Sequence, residues 1–104
     1  MKTLIEFAKL DWIIPSVGVR YKEFIKGNQK LRLVEFSEGF FEADWCTKGH
    51  IGYVIEGQFK IDFSGEIANF SKGDALWIPE GEENKHKLVI MNKITAKLIL
   101  FEKN

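Results

Sequence analysis

The chain has 104 residues, enough for one domain with one hydrophobic core and no second module. Hydrophobic residues make up 45% and aromatic residues 13%, which excludes a disordered or low-complexity chain. Fifteen Lys and Arg balance fifteen Asp and Glu without a basic stripe, which argues against a nucleic-acid module.

In chain order, the leader through Pro15 offers one short helix candidate within residues 3–10, where Leu4, Phe7 and Ala8 share a face. Glu6, Lys9 and Asp11 interrupt its apolar residues, so it does not read as a signal peptide. Val19 to Ile25 and Leu31 to Phe36 are strand-like and separated by the Gly27-Asn28 turn signal. Ser37-Glu38-Gly39 leads into a further predicted strand, Phe40 to Cys46. Ile51 to Glu56 and Phe59 to Phe63 flank Gly57-Gln58, which suggests a tight hairpin. Within the second of these, Phe59, Ile61 and Phe63 alternate with Lys60 and Asp62, the period of a strand with one dry face.

Ser64-Gly65 turns the chain into Ile67 to Phe70, and Lys72-Gly73-Asp74 turns it again into Ala75 to Ile78, stopped by Pro79. His86 to Met91 and Thr95 to Phe101 complete eight or nine short strands at regular spacing, the pattern of a sandwich or barrel. No segment approaches the roughly 18 apolar residues of a membrane-spanning helix. The lone Cys46 cannot form an intrachain disulfide. A cytoplasmic protein is the expectation, with neither membrane nor nucleic acid as partner.

The block from His50 to Gly81 carries the most specific signal. Asp44, Cys46, His50 and Gly57 stand at the spacing of a motif of two histidines one residue apart, a glutamate three or four residues on, and a glycine after six more. Gly73, Pro79 and Gly81 match a second motif, glycine, five residues, Pro-x-Gly, then two residues and a histidine; Asn84 stands at that last position. On these residues and the strand YVIEG, the sequence resembles the cupin family over about residues 30–101. The resemblance implies an all-β, single-domain, jelly-roll β-barrel, with residues 1–29 adding N-terminal strands that complete the barrel or pair two copies. It also implies a homodimer.

The scaffold positions of the motifs agree and the ligand positions differ. Where the family has His, His, Glu and His, this chain has Asp44, Cys46, His50 and Asn84. With a four-residue gap in the first motif, Ala43 and Trp45 would take the histidine positions, and neither can bind a metal. His86 lies two residues past Asn84, and a two-residue shift in a strand keeps a side chain on the same face. His50, His86 and Asp44 are therefore the candidate metal ligands, with Glu42 as an alternate carboxylate. Two imidazoles and a carboxylate suit non-haem iron, whereas adding Cys46 favours zinc. The candidate cofactor is a divalent ion (Zn, Fe, Mn or Ni), set against none at all.

Trp45, Cys46, Tyr53, Trp77 and Asn84 are the candidate pocket residues, since each lies near a motif position and carries a polar or reactive tip. A large aromatic in so small a barrel is more often core than ligand contact. A Cys46–His50 nucleophile pair is conceivable, and neither a phosphate-binding glycine loop nor a serine elbow occurs. Two functions stay open: a module that binds a small polar molecule, a sugar or an organic acid, without catalysis; or a metal-dependent oxygenase, isomerase or epimerase.

Overall fold

The computed structural model of the chain describes residues 3–91 and 93–104. Among the described residues, nine strands form two antiparallel sheets. The larger sheet has the order β1 (Ile13–Ser16), β2 (Val19–Lys26), β3 (Gln29–Phe36), β9 (Ala96–Lys103), β4 (His50–Glu56), β7 (Ala75–Ile78). The smaller has the order β6 (Glu66–Ser71), β5 (Gln58–Phe63), β8 (Lys87–Val89). The inner faces meet in a core of Val34, Val54, Phe59, Ile61, Leu76, Ile78, Ala96, Leu98 and Leu100. The period-two pattern of β5 does what its sequence implies: Phe59 and Ile61 are buried while Lys60 is exposed.

The turns explain the connectivity. Gly27-Asn28 joins β2 to β3 as a two-residue hairpin loop, with Gly27 at φ +60°. Ser64-Gly65 joins β5 to β6 with both residues at positive φ, and Asp62 Oδ1 accepts the Gly65 N–H at 2.7 Å. Gly57-Gln58 differs from its sequence expectation. It is not a hairpin, because β4 and β5 belong to different sheets. Gly57, at φ +81°, is a corner at which the chain leaves the large sheet for the small one. An ideal Cβ there would lie 2.0 Å from the Thr95 carbonyl oxygen, so only glycine fits. The Lys72-Gly73-Asp74 corner returns the chain to the large sheet. The two corners hold each other: Lys72 N–H donates to Gly57 O at 3.0 Å and Gly73 N–H to Val54 O at 3.0 Å.

Two further expectations change. Phe40 to Cys46 is not a strand; it is an extended excursion between β3 and β4 with one isolated bridge, Cys46↔His86, just before β8. The helix candidate near the start reduces to a single 3-10 turn, Phe7–Lys9, and the leader instead supplies edge strand β1. Pro15 is tolerated there because an edge strand has one unpaired side.

Candidate metal centre and its cavity

Three segments converge at one end of the barrel. His50 opens β4, opposite Ile78 of β7 and one step beyond the Ile51↔Phe101 pair, which brings it beside Glu102 of β9. Cys46 comes from the excursion after β3, and His86 precedes β8. Main-chain bonds join the latter two: Cys46 N–H donates to His86 O and His86 N–H to Cys46 O, both at 2.9 Å. The excursion is also held through Glu42, whose Oε2 accepts the Leu88 N–H at 2.7 Å.

The donor atoms of Cys46, His50 and His86 lie within 4.8 Å of one another. Cys46 Sγ is 3.7 Å from His50 Nε2, near the edge of about 3.6 Å that Zn–S and Zn–N bonds of ordinary length subtend in a tetrahedron. Both rings are oriented from behind. His50 donates its Nδ1–H to Glu102 Oε2, and His86 donates its Nδ1–H to the Asn84 carbonyl at 3.0 Å. Each leaves Nε2 as its available donor atom, the arrangement in which a carboxylate or carbonyl fixes the tautomer of a metal-binding histidine. Glu102 is fixed in turn by Arg32, whose Nε and Nη2 donate to its two oxygens at 2.6 and 3.0 Å. The residues present fit a divalent ion of zinc type.

The electrostatics follow from these contacts. Hydrogen bonds from His50 and His86 outweigh burial and pull the Cys46 thiol down to about 5. Burial pushes His50 down, but its bonds to Cys46 and Glu102 outweigh this and raise it to about 9. Burial likewise opposes ionisation of Glu102, yet the bonds from His50 and Arg32 hold it down at about 2. Glu42 behaves oppositely: burial raises its carboxyl, and the Leu88 N–H only partly offsets this.

These side chains open onto a cavity of about 290 Å³ inside the barrel. Of the predicted ligands, the structure brings His50 and His86 together and adds Cys46, which the sequence reading had put in the pocket. Asp44 is exposed and lies outside the cluster. Asn84 contributes its main-chain carbonyl to His86. Trp45 does not line the cavity; its ring is covered by the ammonium groups of Lys85 and Lys87 at 5.6 and 4.7 Å. Tyr53 and Trp77 do not line the cavity; both point off the outer face of the large sheet, 49% and 75% exposed. They alternate with buried Val54 and Ile78, so their strand parity sends them outward. Glu102 and Arg32 were missed. The signal for Glu102 was available, since it follows buried Ala96, Leu98 and Leu100 at period two.

No family model matches the chain, and no curated protein matches it. Solved structures do. The polyketide cyclase RemF from Streptomyces resistomycificus superposes with a TM-score of 0.81 at 17% identity, over 99% of this chain and 80% of that one. KdgF from Halomonas sp. gives 0.77 at 22% identity, over 100% and 96% of the two chains. An RmlC-like cupin from Shewanella frigidimarina gives 0.79 at 16% identity, over 99% and 91%. The chain has the cupin fold. No helix among the described residues is long and apolar enough to cross a membrane.

Proposed function

We propose that this cupin binds a divalent metal ion through Cys46, His50 and His86 and acts on a small organic molecule held in the barrel cavity. The observation that carries the reading is the convergence of three donors whose rings are already oriented by Glu102 and the Asn84 carbonyl. A thiolate with two imidazoles favours Zn²⁺ over Fe, Mn or Ni, since the carboxylate of an iron triad, Asp44, lies elsewhere. Such an ion, when bound, supplies Lewis-acid polarisation of a carbonyl.

The chain's own residues supply the rest. Arg32 and Glu102 keep the His50 ring turned so that Nε2 faces Cys46. Glu42 faces the same cavity with Oε2 held by Leu88 and Oε1 left to meet a ligand, and burial favours its protonated form. It is placed to take or give a proton on a molecule seated there. Proton transfer beside a carbonyl, as in an isomerase, epimerase or cyclase, is the reaction class this supports.

Protein purified without a chelating tag should contain one zinc per chain by elemental analysis. Protein stripped with chelator should recover its higher melting midpoint on addition of Zn²⁺. A protein that takes up no metal and melts identically with and without chelator would overturn the reading. It would leave the cavity as a site for a small polar molecule without catalysis.

We also infer a homodimer, on a separate observation. Ile51 pairs with both Trp77 and Phe101 across the outer face of the large sheet, and the three are 39%, 75% and 45% exposed. With Tyr53 they make an apolar patch of the kind that marks an association surface. This face, rather than the N-terminal strands alone, is where a second copy fits. Light scattering behind size exclusion should give the mass of a dimer at micromolar concentration and of a monomer for Trp77→Glu. A monomeric parent protein would refute the pairing.

A further inference from the structure

The cavity is chemically lopsided. Glu42, Cys46, His50 and His86 share the lining with Arg32 and Lys48, and most of the other walls are hydrocarbon, with Phe36, Phe40, Phe59, Leu76, Leu98 and Leu100 among the lining side chains. Phe36 and Phe40 pack edge to face at 4.8 Å between centroids, and Phe59 is anchored by stacking on Phe70 at 5.3 Å. The walls are therefore fixed surfaces and not loose chains. The positive groups, Arg32 and Lys48, line both the interior cavity and the polar surface hollow beyond it.

From this we infer that the site takes a carbonyl acid with an apolar body, a single ring or short hydrocarbon chain bearing one carboxylate, and not a sugar. The inference rests on the proposed metal-centre reading and names its substrate class. A sugar acid brings four or five hydroxyls into the cavity. Beyond the cluster itself, the groups left to bond them are Glu42 Oε1, the Arg32 guanidinium edge not used by Glu102, and Lys48 Nζ. Each hydroxyl buried against Phe or Leu without a partner lowers affinity by roughly tenfold. An apolar body loses nothing there and gains from leaving water. The size agrees, because about 290 Å³ lies at the small end of ligand cavities and admits one ring. Charge agrees in sign: Glu102 neutralises Arg32, and Lys48 with the proposed ion leaves the site positive toward a carboxylate.

Calorimetric titration with phenylpyruvate, pyruvate and glucuronate tests this on zinc-loaded and zinc-free protein. Phenylpyruvate should bind about 100-fold more tightly than either of the others, since even one methylene in an apolar pocket is worth roughly 10–200-fold. Phe40→Ala should weaken phenylpyruvate about tenfold or more and leave pyruvate unchanged, with the melting midpoint confirming that the variant folds. Glucuronate binding as tightly as phenylpyruvate would overturn the inference, and so would equal binding of phenylpyruvate and pyruvate. The outcomes separate the two readings. A preference for the aromatic acid that persists in protein unable to take up zinc sustains the substrate class while the metal centre fails. Zinc uptake with a preference for glucuronate does the reverse.

Discussion

With the proposed metal centre, replacing Cys46 by alanine should lower the affinity of the protein for Zn²⁺ by about 100-fold or more, and His50→Ala and His86→Ala should do the same. The magnitude comes from structural zinc sites, where about 10–16 kcal/mol is shared among four ligands, so each supplies about 3 kcal/mol, or about two orders of magnitude. Glu102→Gln removes only the carboxylate behind His50 and belongs to a milder class, about 10- to 100-fold. Competition against a chromophoric chelator measures all four. The ranking is the informative part: three large losses and one smaller one identify three ligands and one orienting group. Asp44→Ala serves as the control and should leave affinity unchanged, because Asp44 lies outside the cluster. Unchanged affinity in the Cys46 and both His variants would remove the centre altogether.

Glu102→Ala destabilises the fold by about 3 kcal/mol, because it leaves the Arg32 guanidinium and His50 without their shared partner in a largely buried position. For a domain of this size that is a fall in melting midpoint on the order of 15 °C. The loss depends on pH in a way that a packing defect would not. Glu102 is held at about 2 in the folded protein, against its ordinary 4.5. Its contribution is complete above pH 4.5 and disappears as pH falls toward 2. His50 is raised from 6.5 to about 9, so its contribution is complete below pH 6.5 and is lost as pH rises through 9. Urea midpoints of parent and variant should therefore differ most near pH 5–6, converge as pH falls toward 2, and narrow only in part as pH rises through 9, where Arg32 still pairs with Glu102. A difference that stays constant from pH 3 to pH 9 would contradict the electrostatic account.

How much of this was legible in the sequence divides along physical lines. Turn residues carry local information, so Gly27-Asn28, Ser64-Gly65, Gly73 and Pro79 fell where the strands change direction. Gly57 was recognised as a turn but not as a corner between sheets, because the partner that makes it obligatory, the Thr95 carbonyl, is distant in sequence. The same distance hid the centre's supports. His50 and His86 could be matched by motif spacing and parity, but Glu102 and Arg32 are brought to them by the pairing of β9 with β3 and β4. Phe40 to Cys46 has strand-like composition, yet its polar groups are met by Ser37, by His86 and by Leu88 of β8, not by a ladder of its own. Tyr53 and Trp77 were assigned to the pocket by nearness to a motif, where the alternation along β4 and β7 would have turned them outward.

The position of β9 has a consequence for how the protein is made. It lies between β3 and β4, joining two halves of the large sheet that otherwise share no strand pairing. A nascent chain that has emerged only as far as β8 exposes two unsatisfied edges, β3 and β4, both bordered by apolar side chains. Nothing earlier in the chain can close them, and Glu102 arrives on the same strand. Until β9 is in place the chain is therefore a sticky, half-built sandwich. That interval is when misassembly competes hardest with folding.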